Sequence, residues 1–526
     1  MSVRQTILRT LGGALLVSLV LCLWSLAWAY LAVGVFALCV VAFHDVTQTR
    51  RAILRNFPVI GHGRYLMEAI RPEVNQYFVE SNTDGKPFSR ELRSVVYQRA
   101  KGERDTVPFG TQSDVYAVGY EWLNHSLNAR HPDSEPGRVL VGADTCAKPY
   151  SLALLNASAM SFGSLSSRAI LALNLGAKAA GFAQNTGEGG VSPYHLEGGG
   201  DLIWQIGTGY FGCRSPEGEF EEESFVQTAG LAGVKMIEVK LSQGAKPGHG
   251  GILPGAKVTP EIARIRSVPV GQDVLSPPSH SAFDDPRSLL QFLERLRRLS
   301  GGKPVGIKLC VGRPQEFMAL CKAMVAEGVW PDFISVDGGE GGTGAAPLEF
   351  SNAVGTPLVE ALVLVHNALV GFGLRDRVRV FASGKIATGF HMAQKMALGA
   401  DACFSARAMM MAMGCIQARE CNANTCPVGV ATQDPGLVSG LDVGGKAKRV
   451  EQFQRGTVQS LLELAGAAGL GGPEELLPDH IQKRIAPDEV RSYMDLYPFL
   501  ERGALLSEPI PPAYEEAWKA ADPATF

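Results

Sequence analysis

From about residue 151 onward, short apolar runs repeatedly end in glycine-rich or polar clusters, and each cluster leads into a segment with helical spacing. Leu152 to Met160 runs into Ser161-Phe162-Gly163-Ser164 and a helix over Arg168 to Ala180, and Gly181 to Gln184 runs into Asn185 to Gly190. Lys235 to Lys240 precedes Gln243 to Gly251, while Pro304 to Leu309 carries Lys308 near its end and a helix over Gln315 to Glu327 after it. Phe333 to Val336 opens into Asp337 to Gly344. Val378 to Phe381 opens into Ser383-Gly384-Lys385 with a helix from Gly389 to Leu398, and Ala402 to Ser405 leads into Ala406 to Met413. A doubly wound sheet concentrates its glycines at the first strand-to-helix turn. Glycines after strand upon strand fit instead a barrel that delivers every C-terminal loop to one face. The rhythm predicts an α/β fold: a (β/α)8 TIM barrel over residues 151–440, with a lead-in over 51–150 and a helical C-terminal extension over 441–526.

Ahead of the barrel, no charged side chain occurs from Leu11 to Phe43, well beyond the roughly 20 residues that one membrane crossing takes. A signal peptide cleaved at Ala27-Trp28-Ala29 leaves Tyr30 to Phe43 apolar and unexplained. Arg4 and Arg9 flank the run on one side, and Arg50, Arg51 and Arg55 on the other. Cationic flanks tend to stay cytoplasmic. Residues 1–50 are therefore expected to form a transmembrane helical hairpin of two short helices turning near Trp24 to Trp28, with one long tilted helix as the alternative. Either arrangement leaves the rest of the chain in the cytoplasm, anchored to the inner or plasma membrane.

Charged residues make up 19% of the chain and hydrophobic ones 46%, which excludes disorder and a coiled coil. The 49 Lys and Arg nearly balance 52 Asp and Glu, and no basic cluster offers a nucleic acid surface. Ten cysteines are too sparse for a disulfide scaffold. Three of them form Cys415-x5-Cys421-x4-Cys426-Pro427. Zinc sites pair their cysteines as CxxC or add histidine, and this segment has neither. Thiolates in a loop closed by proline fit iron–sulfur ligation, and three of them suggest a cluster with three protein-bound irons. Ser383, Gly384 and Lys385 follow the penultimate expected strand, where barrel phosphate sites form. With Lys308 at another strand end a flavin becomes plausible, because an ammonium beside N1 and the C2 carbonyl stabilises the anionic reduced ring. Gly440 to Lys446 matches GxxxxGK, but Ala447 replaces the Mg²⁺-binding hydroxyl and no strand precedes it; it reads as a loop.

Five segments together resemble the FMN-binding synthase domain of glutamate synthase, over about residues 100–470. They are Met160-Ser-Phe-Gly-Ser-Leu-Ser166, Asn185-Thr-Gly-Glu-Gly-Gly190, Gln243-Gly-Ala-Lys-Pro-Gly-His-Gly-Gly251, Gly341-Gly-Thr-Gly-Ala-Ala-Pro347, and the run from Cys421 to Gln433. The resemblance implies FMN beside a 3Fe-4S cluster, reducing 2-iminoglutarate made from 2-oxoglutarate and ammonia. It implies that Cys415, Cys421 and Cys426 bind the cluster. It places Met160, Ser161, Lys308, Gly342, Thr343, Gly344, Ser383, Gly384, Lys385 and Ala406 on the FMN, and Glu188, Lys246 and Arg266 at the oxo acid. Arg266 offers a bidentate fork to a carboxylate, and Lys246 a second cation or a proton for the imine.

The departures are His249 and Ile252, where the family usually has Glu and Gln, so polar substrate contacts are lost. A membrane segment also stands where the family has its ammonia-releasing glutaminase, and the long C-terminal β-helix does not follow. The expected function is that of an oxidoreductase acting on CH-NH2 donors. It would reductively aminate 2-oxoglutarate or a related oxo acid with externally supplied ammonia or amine. The alternatives are an N-alkyl glutamate synthase-like enzyme using another amine, and a non-catalytic electron-transfer subunit; retention of Glu188, Lys246 and Arg266 argues against the second. No dinucleotide fingerprint is visible. Electrons would then come from a partner such as ferredoxin or a reductase subunit, and ammonia from solution or a glutaminase partner.

Overall fold

The computed structural model describes residues 2–103, 106–131 and 136–526. The chain divides into two compact units, Met1–Arg90 and Glu91–Phe526, so the lead-in expected as one segment belongs to both.

In the first unit the helices Val3–Cys22 and Ala29–Thr47 are joined through the 3₁₀ turn Leu26–Trp28, where the sequence places the turn. Ser2 and Gln5 form a capping box that starts the first helix. Cys39 Sγ approaches the Leu11 carbonyl at 3.8 Å, so the two helices pack against each other. By length and composition each is able to cross a membrane. Leu16, Val33 and Phe43 point outward and are exposed. Short helices follow over Ala52–Asn56 and Gly61–Val74, the latter continued by a π turn at Asn75–Val79.

The second unit is built on a closed barrel of parallel strands: β1 (Leu155–Ala157), β2 (Gln184–Asn185), β3 (Leu202–Ile206), β4 (Val234–Lys240), β5 (Val305–Leu309), β6 (Phe333–Asp337), β7 (Arg379–Ser383) and β8 (Ala402–Ser405). Closure is sealed by Cys403 of β8 opposite Leu155 of β1. Most strand residues are buried, as expected when side chains fill one face and helices cover the other. The amphipathic helix Pro286–Leu299 shows how that cover is made. Asp285 caps it by accepting the Arg287 and Ser288 amides, and Leu289, Leu290, Phe292, Leu293 and Leu296 are buried.

The structure corrects the sequence reading at four places. Strand β3 obeys the glycine rule, ending in Gly207-Thr208-Gly209, but no helix follows until Glu222–Ala229 and the βα rhythm is masked. The run Leu152 to Met160 is divided. Tyr150–Ala153 pairs antiparallel with Arg138–Val141, and only Leu155–Ala157 enters the barrel. Val141 and Leu152 of that pair pack with Met236, Phe333 and Phe381, plugging the end opposite the C-terminal loops. The C-terminal extension is not all helix. After the long helix Val443–Ala467, Ile481–Ala486 and Glu489–Ser492 form an antiparallel sheet with Glu121–Leu123. Lys483, Arg484 and Arg491 on this half-exposed sheet hide its alternation. Finally, Asp442 caps the helix beginning at Val443, so only the first part of Gly440 to Lys446 is loop.

Candidate active site

Strand register brings three charged side chains, Lys240, Lys308 and Asp337, to the C-terminal mouth, and the loop after β2 adds Glu188. Lys240 lies opposite Lys308, and Asp337 opposite Ser383. Lys308 Nζ stands 3.2 Å from Asp337 Oδ2, and Lys240 Nζ stands 2.9 Å from Glu188 Oε1. Just below, the buried Glu238 carboxylate accepts from Asn185 Nδ2 at 2.8 Å, Gln205 Nε2 at 2.7 Å and Ser335 Oγ at 2.6 Å. Buried charge is tolerated only when paired or fully hydrogen-bonded, and each of these groups meets that demand. Burial works against the Lys308 ammonium, but Asp337, Glu238 and Glu188 together outweigh it and raise its pKa. Burial likewise opposes the Glu188 carboxylate, yet Lys240, Arg266 and Lys246 hold its pKa below the usual range.

Lys246 and Arg266 sit in the long segment after β4, and among the described residues no carboxylate touches them. Lys246 is 2% exposed, and its Nζ donates to the Ala345 carbonyl at 3.2 Å. Burial pushes its pKa down to about 8, with Glu188 pulling the other way. Arg266 closes the short helix Pro260–Arg266, whose chain then turns through Ser267 at φ 54°. Its Nη2 donates to the Phe162 carbonyl at 3.0 Å and Ser161 Oγ at 3.3 Å, its guanidinium lies 5.2 Å from the Phe211 ring centroid, and its buried Nε has no partner. Burial lowers its pKa to about 10, again opposed by Glu188. Two glycines make this approach possible. A Cβ on Gly189 would stand 2.7 Å from Arg266 Nη2, and one on Gly244 would stand 1.8 Å from the Gly338 carbonyl oxygen. The structure thus brings Glu188, Lys246 and Arg266 into one electrostatic group.

Next to Arg266, Met160 and Ser161 are buried after β1, and at the end of β7 Ser383 Oγ lies 3.2 Å from Ser158 Oγ. The chain turns sharply at Lys385, φ 50°, with Lys385 exposed. Ser405 Oγ donates to the Ile386 carbonyl at 2.7 Å and ties the end of β8 to this turn, just before the half-buried Ala406. Gly342, Thr343 and Gly344 are exposed, and they reach toward the cysteine loop: a Cβ on Gly344 would stand 3.1 Å from Cys421 Cβ.

The cysteine loop is fixed from several directions. Tyr97 Oη donates to the Cys415 carbonyl at 2.7 Å, and Gln433 Nε2 donates to the Gly163 and Leu165 carbonyls at 3.0 and 2.9 Å. The buried Lys257 ammonium donates to the carbonyls of Cys421 at 2.8 Å, Ala431 at 2.9 Å and Ser164 at 3.3 Å. It joins the loop carrying Lys246 and Arg266 to the cysteines. Burial raises the Cys415 thiol to about 11, with Cys421 and Cys426 adding to the shift. Among the described residues no group of three His, Cys, Asp or Glu side chains is arranged to hold a single metal ion. Lys240, Asp337, Glu238 and Lys257 escaped the sequence reading. Asp337 alone carried a signal, as the first residue of a glycine-rich run.

A small, partly open cavity lies beside the Lys240–Glu188 pair, lined by residues that include Thr208, Ser242, His249 and Pro277. The His249 ring meets Phe350 edge-on at 5.3 Å. Ile252 lies next to this wall, opening a two-residue antiparallel pairing with Leu275.

The model of the conserved region in glutamate synthase matches residues 125–471. The chain belongs to the glutamate synthase family. It is 39% identical over 497 residues to the glutamate synthase large subunit-like protein YerD of Bacillus subtilis, covering 86% of this chain and 94% of that protein. The archaeal-type glutamate synthase [NADPH] of Thermotoga neapolitana is 35% identical over 322 residues, 61% of this chain and 60% of that protein. The chain therefore matches well under two thirds of the length of such archaeal-type relatives. Among solved structures, the flavin-binding domain of baker's yeast flavocytochrome b2 aligns with a TM-score of 0.42 at 13% identity, covering 82% of this chain and 87% of that one. Its family membership makes the chain an oxidoreductase of the glutamate synthase kind.

Proposed function

We propose that this glutamate synthase relative reductively aminates 2-oxoglutarate or a related oxo acid, with ammonia or a small amine supplied from outside, using FMN and a 3Fe-4S cluster. The observation that carries the reading is the pair of buried cations, Lys246 and Arg266, held beside Glu188 without a carboxylate in contact. A dicarboxylic substrate supplies the missing anions. The buried Nε of Arg266, without a partner among the described residues, is a donor open to a carboxylate, and charge-assisted bonds of this kind contribute roughly 1.5–3 kcal/mol each. Lys246 then has two tasks, binding a carboxylate and delivering a proton to the nitrogen of the imine, and a pKa lowered by burial to about 8 suits the second.

The residues present fit both groups. Ser383 and the turn through Gly384 and Lys385 stand where barrels hold a phosphate, Lys308 stands at the end of β5 with its charge secured by Asp337, and Met160, Ser161, Gly342, Thr343, Gly344 and Ala406 complete the proposed FMN contacts. Cys415, Cys421 and Cys426 would hold the cluster. A cluster spreads its thiolates over separate irons, so they need not converge on one point, and the Lys257 ammonium offsets their negative charge. When bound, FMN supplies hydride and the cluster supplies single electrons. Electrons would come from ferredoxin or a reductase subunit, and a glutaminase partner is one source of ammonia. The hairpin would tether the enzyme to the inner or plasma membrane, with the barrel in the cytoplasm. The ring pair His249–Phe350 and Pro277 beside the cavity favour a second reading, in which the amine carries a small alkyl group.

The test is purification in detergent, flavin released by acid, EPR of the oxidised protein, and turnover with reduced ferredoxin against a panel of oxo acids and amines. FMN, a three-iron signal and amino acid formation are expected. Stoichiometric zinc without iron, or no turnover of any oxo acid, overturns the proposal.

A further inference from the structure

The helix Gly61–Val74 and its continuation Asn75–Val79 carry an apolar stripe that is exposed. Leu66, Met67, Ile70, Val74, Tyr77 and Phe78 fall within an arc of about 120° at 3.6 residues per turn. All six are exposed, Met67 at 59% and Phe78 at 85%. The other side is charged: Arg64 Nε pairs with Glu68 Oε1 at 2.9 Å, and Arg71 lies one turn further on. A helix of this kind, with one apolar stripe and an arginine-bearing polar face, matches those that lie in the plane of a lipid surface.

Its attachment to the hairpin is fixed. Asp45, buried near the end of the helix Ala29–Thr47, accepts the Val59 amide at 2.8 Å and faces His62 Nε2 at 2.8 Å. The Arg51 guanidinium lies 4.4 Å from the Tyr65 ring centroid. The stripe therefore starts within one short connection of the end of a helix long and apolar enough to span a membrane. Arg50, Arg51 and Arg55 lie in that connection, and juxtamembrane cations of this kind are attracted by anionic headgroups.

We propose that residues 61–79 form a surface helix whose apolar stripe enters the headgroup boundary of a lipid bilayer, held at a set angle to the hairpin by Asp45. The inference rests on the membrane reading of the hairpin given above. Lipid, rather than a protein groove, is the chosen occupant because the stripe is attached through Asp45 to a hairpin whose own apolar side chains are exposed, and because Arg64 and Arg71 border it.

The experiment uses the full chain in liposomes of mixed zwitterionic and anionic phospholipid. A photoreactive phenylalanine analogue replaces, one at a time, Leu16 in the hairpin, Met67 and Phe78 in the stripe, and Arg64 on the polar face. Lipid adducts are expected at Leu16, Met67 and Phe78 at several-fold the yield at Arg64. Adducts at Leu16 but none at Met67 and Phe78 overturn the surface helix and leave the hairpin reading standing. No lipid adduct at Leu16 overturns the membrane reading itself. Adducts to protein at Met67 or Phe78 overturn lipid as the occupant. Hydrogen exchange on the unsubstituted chain guards against misfolded variants: amides of residues 61–79 should exchange several-fold more slowly in anionic liposomes than in detergent, and equal rates count against the proposal.

Discussion

Two kinds of buried cation meet at the barrel mouth. Lys240 and Lys308 each have a carboxylate within 3.2 Å, whereas Lys246 and Arg266 bond only to neutral oxygens. Glu188 and Asp337 hold the first pair in place, and among the described residues no carboxylate touches the second. The first pair reads as part of the framework. The second reads as a site still owed an anion, since burying a cation without a counter-charge costs stability that only a ligand recovers. Loss of the carboxylate partners should therefore cost mainly stability, and loss of the second pair mainly substrate binding.

The largest effect belongs to the framework. Asp337→Asn leaves the Lys308 ammonium without its partner and weakens the acceptor for the Gly244 amide, which sits 3.0 Å from Asp337 Oδ2. Breaking a buried ion pair from one side costs about 3–5 kcal/mol, and a clear fall in the thermal midpoint is expected. An unchanged midpoint would show that the pair is not structural and dissolve the contrast.

Arg266→Met should do the reverse. It removes a buried, incompletely bonded guanidinium, so the thermal midpoint should hold or rise slightly. The KM for the oxo acid should increase, and kcat/KM fall by about tenfold to a hundredfold, from the loss of one charge-assisted contact. A large loss of stability with substrate binding intact would move Arg266 into the framework.

The contrast also explains what the sequence could and could not reveal. The barrel was legible because β4 to β8 are apolar runs closed by glycine or polar clusters, and Glu188, Lys246 and Arg266 were legible through the motifs around them. Lys240 and Glu238 were not, because the terminal lysine and mid-strand glutamate of Val234–Lys240 look like solvent-facing residues until closure turns them inward. Lys257 was hidden for a related reason. Its three acceptor carbonyls come from segments more than 90 residues away in sequence, at Ser164, Cys421 and Ala431, and backbone acceptors leave no mark on a sequence. The outer sheet was missed because strands with half-exposed faces and several arginines and lysines carry little hydrophobic alternation.

A smaller, graded effect comes from pH. Free Lys246 keeps its proton below about pH 8 and loses it above, so the KM for the oxo acid should stay flat up to about pH 8 and then climb. In the unfolded chain the same group stays charged to its ordinary value of 10.5. Between these two pH values the unfolded chain binds more protons than the folded one, so the penalty for burying Lys246 is relieved as pH rises. Lys246→Met should remove both trends. A KM profile that still rises from pH 8 in that variant assigns the titration to another group.

The finest division lies in the wall of the cavity. His249 lines it and packs edge-on against Phe350, whereas Ile252 stands beside it in the pairing with Leu275. Restoring an amide by Ile252→Gln adds a polar group next to this wall and leaves Lys246 and Arg266 in the chain, so the oxo acid KM should not move. If the wall accommodates an alkylated amine, the variant should shift the ratio of kcat/KM for ammonia over methylamine toward ammonia by a few-fold, the scale on which one methyl group is discriminated in an apolar pocket. His249→Glu changes a lining residue and its charge together, and the shift it causes should be the larger. An unaltered ratio in both variants places amine selection elsewhere and returns plain ammonia as the nitrogen source. A change in oxo acid KM instead of amine preference would mean that the two substrates share this wall, and the boundary between anion-binding cations and the neutral cavity would have to be redrawn.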